Sequence, residues 1–391
     1  MRALVIAPRM PEFDREGGSR RIFHLIEFLV EEGWAVSFMA QNASGGEHYA
    51  RVLRAMGVAC YAGPESWRTG DEFVERPEEL IAAGKFDLAI LAFWYIGETY
   101  LPMIRTHSPS TRVVIDTIDL HFLRLSRSAF LTKGDEKPKD PLDARFADEM
   151  RREINAYGGA DAVLTVSAKE AEIVNDLLGG GGRAHDVPDT DEMPRSSIPW
   201  AGRRGLVFVG NFRHIPNIDG VAYLCREVLP LVDPAILVEH PVYIVGNELT
   251  PEIAELGRTL LDVRMVGWVP SVAPYLEQAR VSLLPLLYGA GTKRKLIQAA
   301  MAGTPSVSTS IGTEGLGLRH ETEVLVADDP AAFARAIERL VTDEPLWNRL
   351  ASAGRERVMA VHGRESVRRR FREVLGAVSP SPPATDLGDA G

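Results

Sequence analysis

Gly289, Ala290, Gly291 and Thr292 separate an apolar run, Val281 to Leu284, from a stretch of good helix formers that starts near Lys293 and continues to Met301. A glycine-rich turn lets the backbone come close to a ligand, and a helix start presents free N–H groups and the positive end of a dipole to an anion. Lys293 and Lys295 add positive charge at the same place, so this segment suits the holding of a phosphate. A glycine-rich loop before a helix is also an ordinary way to turn a chain, and the loop alone does not separate the two readings.

Other places carry chemically useful side chains. Gly17 and Gly18 follow the apolar run Ala3 to Ala7, where an open α/β sheet receives ligands at the carboxyl ends of its strands; a flexible turn is the alternative. His121 comes just after the run Val113 to Asp116, with Asp116 and Asp119 beside it, and a packed or capping histidine is the other reading. Arg213, His214 and Asn217 follow Gly205 to Gly210, while Phe93, Trp94 and Tyr95 follow Leu88 to Ala92. The aromatic trio suits an apolar platform for a sugar or lipid, or core packing. Asp189-Thr190-Asp191 spells a pattern with which some enzymes hold a divalent metal, but its Pro/Gly-rich surroundings make it read as acids on a solvated loop. GGGG at 179–182 lacks the strand before and helix after that a dinucleotide site needs. No Ser/His/Asp or Cys/His set has a nucleophile-elbow context, so hydrolase chemistry has no support.

Two series of elements would position these residues. The first alternates apolar runs (Ala3 to Ala7, Ala35 to Met39, Leu88 to Ala92, Val113 to Asp116, Ala162 to Ser167) with helical segments such as Arg20 to Glu32. The second runs through Gly205 to Gly210, Val242 to Gly246, Val263 to Val266, Val281 to Leu284, Pro305 to Thr309 and Val324 to Ala327. Continuous apolar runs between helices indicate parallel strands buried on both faces. The 391 residues, 45% hydrophobic and 25% charged, suit two globular domains. Between the series, Gly179 to Arg204 is rich in glycine, proline and charge, which disfavours regular structure. The expected organisation is an α/β domain over 1–186, a linker over 187–204, a second α/β domain over 205–362, a basic helix over 363–378 and an unpacked tail over 379–391. A net charge of −10 argues against a broad nucleic-acid footprint. Cys60 and Cys225 stand far apart, which argues against a disulfide framework or a zinc site and for a reducing cytoplasm. No stretch reaches the ~18 apolar residues of a membrane span, and the N-terminus lacks a signal-peptide pattern.

The segment YGAGTKRKLIQAAMAGTPSVSTSIGTEGL, from Tyr288 to Leu316, resembles the donor-binding segment of family 4 glycosyltransferases, in a branch with a GAG-x-K-x-K loop. FVGNFRHIPNID from Phe208 is similar to the first strand and loop of that family's C-terminal domain. DTIDLHFLR from Asp116 and PEFDREGGSR from Pro11 are similar to N-terminal-domain segments, and WNRLASAGRERV from Trp347 to a late helix. The resemblance runs from about residue 3 to 375. It implies the GT-B fold: two Rossmann-like domains with parallel sheets facing a central cleft, and a C-terminal helix crossing back to the first domain. It also implies that the Gly17–Gly18 loop faces the donor phosphates or the transferred sugar, that Arg213 or His214 meets the diphosphate, and that the second lysine of the Lys-x-Lys pattern, Lys295, reaches it. The family carries two glutamates in this segment; the matching positions here are Ala290 and Gln298. Gln298 keeps an amide oxygen for a ribose hydroxyl, and Glu314 is either a substitute that reaches the donor or a helix-start or surface acid. In related enzymes a histidine one residue before the matching aspartate touches the sugar; that place holds Ile118, so His121 with Asp119 takes the catalytic role.

The expected activity is transfer of a sugar from a nucleoside diphosphate to a hydroxyl acceptor, with retention implied by the resemblance, in glycan, cell-surface polysaccharide or glycoconjugate synthesis. The donor contacts are Gly17, Gly18, Arg213, His214, Gly291, Thr292, Lys293, Lys295, Gln298 and Glu314; the acceptor contacts are Trp94 and Tyr95. Neither metal nor cofactor is expected, the nucleotide sugar being a substrate. The expected partners are that donor and a glycan, lipid-linked or small hydroxyl acceptor, not nucleic acid, at a cytoplasmic location that allows peripheral membrane contact. A catalytically silent nucleotide-sugar-binding subunit and a nucleotide-sugar epimerase of the same fold are the rival readings.

Overall fold

In the computed structural model, which describes residues 1–66, 72–125, 144–249, 251–260, 262–289 and 292–378, the two series of apolar runs form two parallel sheets. Among the described residues the first sheet has eight strands: β1 (Arg2–Arg9), β2 (Ala35–Asn42), β3 (Ala59–Ala62), β4 (Glu72–Phe73), β5 (Leu88–Ala92), β6 (Arg112–Asp116), β7 (Ala162–Thr165) and β8 (Ala184–Asp186). They lie in the order β4-β3-β2-β1-β5-β6-β7-β8. The second has six: β9 (Leu206–Val209), β10 (Val242–Val245), β11 (Val263–Gly267), β12 (Val281–Leu284), β13 (Ser306–Ser308) and β14 (Leu325–Val326), in the order β11-β10-β9-β12-β13-β14. Ala3 to Ala7 of β1 are all buried, because Val5 pairs with Phe38 on one side and Ile90 on the other while helices cover the faces.

Packing divides the chain into two units. One consists of Met1–Asp119, Ala147–Val187 and residues 368–378; the other contains residues 120–125, 144–146 and Pro188–Val367. The helix Arg364–Val378 thus begins in the second unit and ends in the first. In its first-unit part Phe371 is fully buried, 6.3 Å from the ring of Phe28, and Arg368 and Arg372 pair with Glu31 and Glu32. No described helix is long and apolar enough to cross a membrane.

In each sheet the strand order reverses once. β1 lies between β2 and β5, and β9 lies between β10 and β12. The crevice beyond the carboxyl ends at such a reversal is where open parallel sheets take their ligands. Gly17, Gly18 and Phe93 to Tyr95 follow β1 and β5; Arg213, His214 and the Tyr288 to Lys295 segment follow β9 and β12.

The structure corrects some sequence expectations. The first helix, Gly17–Glu31, takes Gly17 and Gly18 into its opening turn, where a loop was expected. A Cβ on Gly18 would stand 2.9 Å from Cγ2 of Ile118, so packing fills this position with glycine despite its poor helix propensity. Asn217, expected in a loop, sits inside helix Ile215–Tyr223. The segment after β8 has no regular structure up to residue 199, yet it is not a solvated loop: Thr190 is 6% and Asp191 2% exposed. The tail expected over 379–391 lies outside the described residues.

Candidate functional site

The second unit's reversal point is built by the turn from β12 into helix Arg294–Met301. Gly289 holds φ +147, and a Cβ there would come within 3.6 Å of the Lys293 side chain. Gly291 and Ala290 lie outside the described residues. Leu296 and Ile297 donate their N–H groups to the Lys293 carbonyl at 2.9 and 3.4 Å, so by helix geometry the N–H groups of Arg294 and Lys295 are at the open end. Lys293 is itself mostly buried.

Lys295 turns inward from this helix start. Its Nζ donates to Oδ1 of Asn217 at 2.5 Å and lies 4.5 Å from the centroid of the Phe208 ring on β9. Asn217 in turn donates Nδ2–H to the carbonyl of Asn211, at 2.7 Å. One amide therefore joins the β9 loop to the β12 helix. Burial, with a smaller contribution from the Lys293 charge, pushes the Lys295 ammonium down to about 7. Gln298 is buried one turn further along the helix.

The remaining groups of this unit are spread around that centre. Arg213 is exposed and paired with Glu248 at 2.9 Å, so its guanidinium is partly engaged. Exposed His214 immediately precedes helix Ile215–Tyr223. The loops after β9 and β10 touch where Gly246, at φ +155, has no room for a Cβ beside the Gly210 carbonyl. Tyr288 donates its hydroxyl to Asp219 at 2.5 Å, and burial raises its pKa. Glu314 is half-buried at the end, not the start, of the one-turn helix Ser310–Thr313. Thr292 donates its hydroxyl to Asp189, and Arg294 donates to Asp191. The acids read as solvated are thus engaged by the loop itself.

At the first unit's reversal point the backbone is strained. Phe93 holds φ +75 and Ile118 φ +63, a region that costs a non-glycine residue ~1–3 kcal/mol and that clusters at functional sites. Gly17 is exposed and Gly18 packs against both residues. Asp116, fully buried, accepts a forked pair of bonds from Arg21, with Nη2 to Oδ1 at 2.7 Å. Arg21 also donates to the Val187 carbonyl at 2.7 Å. Asp116 is therefore a partner of Arg21, and Asp119 is the half-buried acid that follows it. His121 is half-buried and groups with the second unit, while Asp119 groups with the first. Trp94 is 4% exposed with the Arg152 guanidinium over its ring at 5.1 Å, so core packing describes it. Tyr95 is half-buried and stacks on Phe93 at 5.3 Å. Among the described residues no group of three His, Cys, Asp or Glu is placed to hold a metal.

Sequence reasoning missed Asn217 as the partner of Lys295, and Asp189 and Asp191 as partners of the loop.

Solved structures share the fold across 96% of the chain. Sucrose-phosphate synthase from Thermosynechococcus elongatus superimposes with a TM-score of 0.69 at 18% identity, covering all of that chain. HepE from Anabaena, solved with UDP, gives 0.69 at 12% identity, again over all of that chain. The fold is GT-B. In sequence, the lipopolysaccharide core biosynthesis glycosyltransferase LpsE of Rhizobium meliloti is 28% identical over 133 residues, 34% of this chain and 38% of that one. The matches span 21% to 38% of the length of the curated relatives. Residues 203–343, which hold β9 to β14 and the Lys295–Asn217 centre, match the family model described as Glycosyl transferases group 1.

Proposed function

We propose that the chain is a glycosyltransferase that moves a sugar from a nucleoside diphosphate to a hydroxyl acceptor. The carrying observation is the helix start at the β9/β12 reversal, where open N–H groups, buried Lys293 and half-buried Lys295 lie within the segment that matches the family. As the bond to the leaving diphosphate breaks, negative charge grows on its oxygens, and donors already held in place lower that barrier without reorganising. Lys295 and the N–H groups of Arg294 and Lys295 supply this in our reading, with Lys293, Thr292 and Gly291 at the loop and Arg213 or His214 at its rim. Gln298 accepts a ribose hydroxyl, and Glu314 reaches the donor sugar. His121, Asp119, Gly17, Gly18 and Tyr95 serve the sugar and acceptor. Residues 1–186 form the acceptor side and 205–362 the donor side, metal-independent and retaining.

The relatives support the substrate classes. HepE is described in complexes with UDP and with UDP-glucose, and LpsE as a glycosyltransferase of lipopolysaccharide core biosynthesis; we place this chain in cell-surface glycan synthesis, with peripheral contact at the inner face of the membrane. A thermal-shift panel of UDP, GDP and ADP with their sugars tests the reading, since a ligand bound only by the folded state raises its melting temperature. At least one diphosphate should stabilise the chain, and a flat panel would count against the reading. Gln298, where the family carries a glutamate, favours a second reading, a silent donor-binding subunit. That subunit would bind a nucleotide sugar without releasing its diphosphate.

A further inference from the structure

Asp189, Thr190 and Asp191 lie between the start of helix Arg294–Met301 and His362, the last residue of helix Glu344–His362. Asp189 Oδ2 accepts from the Thr292 hydroxyl at 2.8 Å, and Asp191 Oδ2 accepts from Nε of Arg294 at 2.5 Å. The other oxygen of Asp191 accepts the Glu192 N–H at 2.9 Å, and its side chain is 1% exposed. Behind them His362 Nδ1 meets the Asp189 carbonyl at 2.7 Å, and the Thr190 hydroxyl donates to the His362 carbonyl at 2.8 Å. Two residues on, Met193 packs against the apolar cluster of Leu296, Ile297 and Met301. The Ser196 N–H then reaches the Ala302 carbonyl at the helix's far end. Asp189, Asp191 and Met193, at alternate positions, thus meet the loop and helix through their side chains, and the backbone at Ser196 meets the helix's far end.

Met193, Ser196 and the buried Arg203, which donates Nη1 to Thr304 at 2.7 Å, already anchor this segment. The two carboxylates add something different: they grip the residues on either side of Lys293. A buried acid is tolerated only when its charge is answered, and negative groups are favoured beside a helix start. Asp191 also takes up the Arg294 charge at that helix start.

We propose that Asp189 and Asp191 are positioning residues that act through Thr292 and Arg294 to hold the loop and helix start in the attitude that receives a diphosphate. The proposal rests on the donor reading above. Calorimetric titration of UDP and of uridine into the full chain tests it, with Asp189→Asn, Asp191→Asn, Thr292→Val, Thr292→Ser, Arg294→Gln and the double variant Asp191→Asn/Arg294→Gln. Asp189→Asn and Asp191→Asn should each weaken UDP by about 3- to 10-fold, within the range for coupled neighbours, and leave uridine affinity unchanged. Thr292→Val should match Asp189→Asn, while Thr292→Ser, which keeps the hydroxyl that Asp189 accepts from, should weaken UDP less than Thr292→Val. In the Arg294→Gln background, Asp191→Asn should add less than about 2-fold. Equal UDP affinity in folded single-aspartate variants, or full additivity in the double variant, overturns the positioning role. So does parallel loss of uridine and UDP, the sign of general loosening. Should Asp191→Asn fail to fold, the Asp189 and Thr292 variants decide by the same criteria. A wild-type chain that binds none of UDP, GDP and ADP overturns the donor reading itself and this proposal with it.

Discussion

Lys295 is charged or neutral near physiological pH depending on what stands beside it. In the folded chain burial, then Lys293, hold its pKa at about 7, against 10.5 for an ordinary lysine. Between those two values the unfolded chain keeps a proton that the folded chain has lost, so this group's contribution to stability rises with pH across that window. A bound diphosphate favours the ammonium and reverses the difference. Binding at pH 8 should therefore take up a fraction of a proton approaching one, and at pH 6 almost none. Titrations in buffers of different ionisation enthalpy measure this, and the uptake should vanish in Lys295→Ala. The same substitution removes a charge-assisted hydrogen bond worth roughly 1.5–3 kcal/mol, a loss of about 10- to 150-fold in diphosphate affinity. Unchanged affinity in that variant would take Lys295 out of the site.

Elements differ in how plainly they are written in the chain, and the reason is burial. β5 and β12 have the bounds read from their apolar runs, because strands covered on both faces need apolar residues throughout. β4 is exposed at both residues and β8 reads Ala184, His185, Asp186; neither carries a continuous apolar run. The buried stretch at Asp189 and Asp191 was illegible for another cause. Its partners stand 103 residues away, and no local pattern shows that a polar segment will be covered. Helix Arg364–Val378 was legible as a basic helix, and its anchor is Phe371, with Val367, Val374 and Leu375 also buried. Truncating a buried phenylalanine to alanine costs about 3–5 kcal/mol. Phe371→Ala should lower the denaturation midpoint accordingly, and chain truncated after Gly363 should be less stable still. A truncated chain as stable as the whole would show that this helix is peripheral to the fold.

At the scale of the whole molecule the two reversal points hold different equipment. The one at β9 and β12 carries lysines and an open helix end, whereas the one at β1 and β5 carries an exposed glycine, stacked aromatic rings and two residues held at positive φ. In the proposed transferase this is a division between gripping the diphosphate and shaping the place of transfer, and Gly18 separates the two. A valine there would press on Ile118, whose Cγ2 would stand 2.9 Å from the new Cβ, and shift a backbone already under strain. Misplacement by ~1 Å at a reacting centre can cost about 100-fold in rate, while the cations of the second unit are untouched. Gly18→Val should therefore lower turnover of the nucleotide sugar by about 10-fold or more and leave UDP affinity within about 2-fold. Turnover assays and calorimetry on the same preparation, with its melting temperature, give the answer. A parallel fall in UDP affinity would move part of the diphosphate grip onto Gly17 and Gly18, as the family resemblance also allows. Unaltered turnover in a folded variant would remove the first reversal point from the reaction.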